Sequence, residues 1–213
     1  MQIFDREQAT SEWFSHRVGL PTASRFHDVM AKGVSDKPSK VRHAYMMKLV
    51  AERMTGVSEE TYSNEHMLRG QLLEGEARDL YQFVTGNEVR RIGFIKNNDV
   101  GCSPDGLIGD DGILEIKTKL PHLHLDVLVA NEVPSEHLAQ IQGCLWVSER
   151  AWCDFVSYCH VPDGHPDARR LPEFIKRVYR DEEHIQRIAN AVKSFNDELH
   201  ALTVKLIGRY FKE

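Results

Sequence analysis

Residues Gly101 to Lys119 read GCSPDGLIGDDGILEIKTK, two apolar runs of strand character separated by GDDG, a strong hairpin signal. Side chains alternate between the faces of a strand, so Glu115 and Lys117, two apart, share one face. The hairpin folds the strand bearing Asp105 alongside them. A register that sets residue 105 against 115 brings the two carboxylates together, with β-carbons roughly 4.5–5.5 Å apart. Two such anions repel, and a divalent cation between them relieves the repulsion. A short gap lined only by oxygen ligands suits Mg²⁺ or Mn²⁺ better than Zn²⁺. Lys117 is then placed to orient or deprotonate a metal-bound water for attack on a phosphodiester. Glu115-Ile116-Lys117 is the only acid-x-Lys triplet in the chain, which sharpens a pattern that is loose by itself. Spacing alone leaves a second possibility open, an ordinary hairpin with solvated charges on its polar face.

Outward from this hairpin the apolar period divides the chain. Val89 to Ile95, Val100 to Ile108 and Ile113 to Lys119 read as three successive strands, the turns being NND and GDDG. Upstream the period is helical. Ser11 to His16 forms a short turn of helix, Thr22 and Ser24 are candidate caps for a segment through Ala31, and Lys40 to Met54 follows. Glu65 to Val84 is longer, with Leu73, Ala77, Leu80, Tyr81 and Val84 on one apolar face. Downstream, a helix from Pro134, at a favoured first-turn position, to about Val147 precedes a strand from Ala151 to Cys159. Asp181 to Ile207 is a long amphipathic helix whose seam, Ile185, Ile188, Val192, Phe195, Leu199, Leu202 and Leu206, is heptad-like. Packing on its own core is the expectation for that seam, with an intersubunit contact as the alternative. The class is α/β: a small mixed sheet with helices before, between and after its strands.

With 213 residues, 41% hydrophobic and 28% charged, the chain suits one sizeable core, which excludes a disordered or fibrous protein. It has no linker, low-complexity tract or repeat, so a single domain over residues 1–213 is expected. No apolar run approaches the roughly 20 residues that span a bilayer, and MQIFDREQ lacks the features of a signal peptide. The expectation is a cytoplasmic protein with no membrane partner. Cys102, Cys144, Cys153 and Cys159 include no C-x-x-C pair and are expected to be buried thiols. A net charge of −5 argues against a nucleic-acid binder with a wholly basic surface, while leaving room for a local basic patch.

Pro104-Asp105 with Glu115-Ile116-Lys117 resembles the PD-(D/E)xK nuclease motif. RVGLPTASRFHDVMAK (Arg17 to Lys32), RGQLLEGEARDLYQFVTG (Arg69 to Gly86), GCSPDGLI (Gly101 to Ile108) and LAQIQGCLWV (Leu138 to Val147) resemble, in the same order, the phage lambda exonuclease family of viral recombination nucleases. The likeness runs from about residue 13 to 160. It implies a restriction-endonuclease-like fold and degradation of linear double-stranded DNA from the 5′ end to leave a 3′ single strand. The implied cofactor is Mg²⁺, two ions, with Mn²⁺ as a substitute. The implied assembly is a homotrimer ring around DNA that works with a single-strand annealing protein. Glu74 matches the helix-borne acid of the metal site, Asp105 and Glu115 the strand carboxylates, the Ile116 carbonyl a further ligand, and Lys117 the water-orienting lysine. Gln140 matches a glutamine near the scissile phosphate, and Arg17, Ser24 and Ser103 match positions that hold the 5′-terminal phosphate, for which guanidinium and hydroxyl donors are suited.

The family carries a basic residue where Val34 stands. Lys37, Lys40 and Arg42 are candidates to replace it, because residues 25 to 53 hold seven Lys and Arg against three acids. That excess, with Lys32 among it, is the expected DNA approach, solvated helix faces being the alternative. Met67 is a candidate wedge between terminal base pairs or else core filler. Taken singly, Glu74 also suits a solvated helix flank, Ser24 an N-cap, Arg17 a surface charge and Gln140 a backbone hydrogen bond. Competing functions are another branch of the nuclease superfamily, such as an endonuclease, a DNA-repair nuclease or an iron–sulfur nuclease using the four cysteines, and a non-catalytic DNA-end-binding module. A zinc site at His122, His124, His160 and His165 has no supporting ligand spacing.

Overall fold

The strand that carries Glu115 and Lys117 lies at the centre of the molecule. The computed structural model describes residues 1–5, 8, 10–33, 39–58, 65–161 and 169–211, without the side chains of 65–68 and 71. Its strands are β1 (Gln2–Phe4), β2 (Val89–Arg90), β3 (Phe94–Asn97), β4 (Val100–Cys102), β5 (Gly106–Ile108), β6 (Gly112–Thr118), β7 (Trp152–Tyr158) and β8 (Phe174–Tyr179). Its helices are α1 (Ser11–Arg17), α2 (Phe26–Met30, entered through a 3₁₀ turn at Ala23–Arg25), α3 (Lys40–Thr55), α4 (Glu65–Thr85), α5 (Pro121–Ala130), α6 (Ser135–Ser148) and α7 (Glu182–Tyr210). Among the described residues no helix is long and apolar enough to cross a membrane.

Five strands form a mixed sheet in the order β2-β5-β6-β7-β8, in which only β6 and β7 run parallel. A parallel pair needs a long crossover, and α5 and α6 supply it. The β5–β6 register pairs Gly106 with Leu114 and Ile108 with Gly112, so one further step sets Asp105 opposite Glu115, as the hairpin reading expects. One face of β6 puts Ile113 into the main core with Ile141, Leu145 and Phe155. The other packs Leu114 and Ile116 against Ala77 and Tyr81 of α4. Burial on both faces is the usual state of a strand in a parallel pair, and it leaves Glu115 only 1% exposed.

A single sheet was the expectation, and here the structure differs. The runs 89–95 and 100–108 each break in two, and β1, β3 and β4 form a second, antiparallel sheet in the order β1-β3-β4. The breaks have local causes. Gly93 N–H donates to Phe4 O at 2.9 Å and so belongs to the second sheet. Pro104 has no N–H to continue a ladder, and the chain passes from one sheet to the other at that residue. β1, α5 and β8 have no counterpart in the sequence reading: β1 is very short, and α5 (PHLHLDVLVA) is apolar without a helical stripe.

Ser39 Oγ accepts from Arg42 N–H to cap α3, and Gly56, at φ 72°, ends it. Ser24 is not a cap. It lies inside the 3₁₀ turn, and Thr22 before that turn makes no side-chain cap bond. Pro134 occupies the N-cap of α6 rather than its first turn. On α4 the expected apolar face is narrower, since Ala77 and Tyr81 are buried while Leu80 and Val84 are exposed. The α7 seam packs inward against α2, α3 and α6. Ile185, Ile188, Val192, Phe195 and Leu199 are buried, each contributing about 1.5–3 kcal/mol, and Leu202 and Leu206 pack at the margin of the same core. That seam is therefore not available to a second subunit.

Candidate active site

Pro104 delivers Asp105 to the edge of β6 just as the chain changes sheet. Asp105 N–H donates to Leu114 O at 3.0 Å, and Asp105 Oδ2 accepts from Ile116 N–H at 2.6 Å, which pins the carboxylate beside Glu115. Glu115 Oε1 accepts from Lys117 Nζ at 2.7 Å and from Gln140 Nε2 at 2.5 Å. Gln140, reaching down from α6, also accepts from Lys117 Nζ at 3.3 Å through its Oε1. The three side chains form a closed triangle. The other Glu115 oxygen, Oε2, is buried with no hydrogen-bond partner. Glu74 on α4 pairs with Arg78 one turn later, and Arg78 Nε donates to the Asp105 carbonyl at 3.3 Å.

The electrostatics are those of a site short of positive charge. Burial, then the charges of Glu115 and Glu74, push the Asp105 carboxyl well above the usual range. Glu74 is raised too, chiefly by burial, against the opposing charges of Arg78 and Arg91. Burial acts to discharge Lys117, but the carboxylates of Glu115 and Asp105 outweigh it and hold the ammonium charged above its ordinary value. Among the described residues no group of three or more His, Cys, Asp or Glu side chains is placed to hold a metal ion by itself. What the site offers is two adjacent, largely buried carboxylates with Glu74 held nearby. A buried carboxylate oxygen without a donor normally has an unseen partner. An all-oxygen set fits a hard divalent cation.

A second cluster lies where α1 meets β4. Arg17 Nη1 is 3.5 Å from Ser103 Oγ, and the Trp13 indole donates to Ser103 Oγ at 3.2 Å and to Gly93 O at 2.9 Å. The Arg17 guanidinium lies 4.0 Å over the Trp13 ring, which fixes its plane. Ser24 joins through Thr22, their hydroxyls 3.4 Å apart, and Thr22 bridges to Gly101, two residues before Ser103.

Residues 12–151 match the YqaJ-like viral recombinase domain family. An alkaline exonuclease from Laribacter hongkongensis is 37% identical, with 94% of this chain and 97% of that one covered and a TM-score of 0.82. The chain belongs to the YqaJ-like viral recombinase family. The Laribacter enzyme in complex with dAMP superposes with a TM-score of 0.81 at 37% identity, covering 94% of this chain and 97% of that one. A phage-related exonuclease from Haemophilus somnus 129PT, 14% identical with 88% and 96% of the two chains covered, shares the fold with a TM-score of 0.65. No curated protein matches the chain.

In this recombinase domain, then, Asp105, Glu115, Lys117 and Gln140 meet in one cleft with Glu74 at its edge, while Arg17, Ser103 and Ser24 gather in the second cluster. The expected DNA residues are described only in part. Lys32 and Lys40 are exposed, whereas both terminal nitrogens of Arg42 are bonded to Glu198, at 2.7 and 2.8 Å. Lys37 and the Met67 side chain lie outside the described residues. Four contributors escape the sequence reading. Arg78 stood in view, four residues after Glu74 on one helix, the spacing of an ion pair. Trp13 likewise stood in view, four residues before Arg17 on α1. Lys119 and His137 tie the end of β6 to the first turn of α6. Burial and the charges of Lys117 and Lys119 push the imidazole down to about 3, so it is neutral and its Nε2 accepts from the Lys119 ammonium at 3.4 Å. The four cysteines are buried free thiols, and burial raises Cys153 and Cys159, with Cys144 raised by its hydrogen bond to Cys102 as well as by burial.

Proposed function

We propose that this protein is a Mg²⁺-dependent exonuclease that degrades the 5′-ended strand of linear duplex DNA and leaves 3′ overhangs for recombination by strand annealing. The observation that carries the reading is the buried, unpartnered Glu115 Oε2 next to Asp105 and Lys117. Asp105, Glu115, Glu74 and the Ile116 carbonyl would hold the cation, Mg²⁺ or Mn²⁺, which supplies a Lewis acid and an activated water when bound. Lys117, on the same face as Glu115, would orient the reacting water or take its proton. Gln140 fixes both Lys117 and Glu115. Arg17, Ser103 and Ser24 hold the 5′-terminal phosphate so that the next phosphodiester lies over the carboxylates.

The Laribacter relative supports this, as an alkaline exonuclease whose structure was also solved with dAMP, a mononucleotide of the kind such a reaction releases. A ring-shaped homotrimer threaded by DNA is the assembly that reconciles a net charge of −5 with retention on a polyanion. A single-strand annealing protein is the partner and the cytoplasm the site of action. The test is digestion of linear duplex DNA labelled at one end or the other. Release of mononucleotide from the 5′ label in Mg²⁺ and none in EDTA is expected. Release from the 3′ label first, or full activity in EDTA, contradicts the reading.

A further inference from the structure

Arg25 ends the 3₁₀ turn that holds Ser24. Its Nε lies 2.5 Å from Asp28 Oδ2, and Asp28, buried, is also 3.0 Å from His27 Nε2. The ion pair keeps the inner edge of the guanidinium beside Asp28, although Nε makes no hydrogen bond, and the side chain as a whole is 42% exposed. The guanidinium carbon is 4.9 Å from the centroid of the Tyr45 ring. Tyr45 is itself a rigid base, stacked at 5.7 Å on Phe195 of α7, and its hydroxyl accepts from Thr22 N–H at 3.2 Å. Burial pushes that hydroxyl up to about 12, against the pull of the Thr22 bonds and of two cations, Arg17 and Arg25. Thr22 is the residue that links Ser24 to Gly101 and hence to the Ser103–Arg17 pair. Contacts through Tyr45 and Thr22 thus bring Arg25 into the cluster already described, and the arginine is set there on an aromatic ring just as Arg17 is set on Trp13.

We infer that Arg25, braced by Tyr45 and Asp28, is a second guanidinium of the terminal-phosphate pocket, and that the pair selects a phosphomonoester over a phosphodiester. The inference rests on the proposed 5′-phosphate role of Arg17, Ser24 and Ser103. Charge supplies the reason for two cations. A terminal phosphate monoester carries about −1.5 to −2 at neutral pH, against −1 for each phosphate inside the strand. One guanidinium matches a diester, while a monoester has charge and acceptor oxygens left for a second. Planar forks bound to aromatic rings lose little freedom on meeting such an anion. A pocket with both arginines therefore gains most from the strand end and least from the interior of the strand, which is what positioning an end requires.

The test is equilibrium binding in EDTA, so that no cleavage intervenes, to a hairpin duplex with a single open end carrying either a 5′-phosphate or a 5′-hydroxyl. The unmutated protein should prefer the phosphorylated end, and Arg25→Gln should reduce that preference roughly tenfold, the scale of one charge-assisted hydrogen bond. Arg25→Lys, which keeps the charge without the fork, should recover part of it. A preference in Arg25→Gln equal to that of the unmutated protein overturns the assignment. So does a parallel loss of affinity for both ends, which marks a structural or general backbone contact. Absence of any preference in the unmutated protein removes the 5′-phosphate pocket itself, an outcome distinct from a preference that Arg25→Gln leaves untouched.

Discussion

The carboxylate cleft and the arginine cluster are built on opposite principles. In the cleft, anions are pressed together by one hairpin and one helix, a buried oxygen lacks a donor, and Asp105 is driven toward its neutral form. In the cluster, two arginines from α1 and the 3₁₀ turn that follows it are each laid on an aromatic ring, at 4.0 Å for Arg17 and 4.9 Å for Arg25. The first region crowds like charges whose repulsion a cation would relieve. The second is already braced by its own side chains. In the proposed roles, a cation site would gain from crowding its anions in advance, and a strand-end site from reducing the ordering cost of its donors beforehand.

Removing charge from the cleft should give the largest effects, in opposite directions for activity and stability. Asp105→Asn and Glu115→Gln should each lower cleavage by roughly a thousandfold or more if, as proposed, both carboxylates hold the cation. Lys117→Ala should impair single-turnover cleavage more than DNA binding. Metal-free Asp105→Asn should be more stable than the unmutated protein by about 1–3 kcal/mol in urea unfolding at neutral pH, because a desolvated carboxylate is replaced by a neutral amide. The raised Asp105 group binds its proton more tightly folded than unfolded. Its contribution therefore makes metal-free stability fall as pH rises from the ordinary aspartate range through the elevated folded value. Asp105→Asn should flatten that slope, and an unchanged slope would show that Asp105 is not strained.

The bracing of the second region should fail by packing rather than by charge. Phe195 lies under Tyr45 and is fully buried in the core. Phe195→Ala should cost about 3–5 kcal/mol of stability by calorimetry or urea titration. Arg17→Ala should slow cleavage of 5′-phosphorylated duplex by roughly ten- to a hundredfold and narrow its advantage over 5′-hydroxyl duplex. Equal rates on the two duplexes in the unmutated protein would withdraw Arg17, Ser24 and Ser103 from that role. Trp13→Phe, which keeps a ring beneath Arg17 but loses the indole donor to Ser103, should have the smallest effect, a few-fold narrowing of the same rate ratio, of the order of one neutral hydrogen bond.

The same contrast explains what the sequence discloses. The cleft is local: Asp105, Glu115 and Lys117 stand on one hairpin whose turn residues and period-two alternation give the register directly, and α7 is legible because its apolar residues keep one face over many turns. Arg78 is missed although its spacing from Glu74 is visible, because an i,i+4 pair is as common on solvated helices as at sites. The second sheet is missed because apolar runs do not record that Gly93 and Pro104 send the two halves of each run to different partners. The bracing of the arginines is missed for a deeper reason. Arg17 over Trp13 is an i,i+4 pair on α1, whereas Tyr45 meets Arg25 and Phe195 only through tertiary packing, and an aromatic residue on an amphipathic helix reads as core whether or not a cation lies on it.

The claim that everything else depends on is that the cleft is a built cation site. Calorimetric titration of Mn²⁺ into metal-free protein, in the absence of DNA, tests it most directly. The expected result is saturable binding by the unmutated protein, accompanied by a rise in Tm, with both lost in Asp105→Asn and in Glu115→Gln. Saturable binding of equal strength in these variants, or none in the unmutated protein at millimolar Mn²⁺, would contradict it.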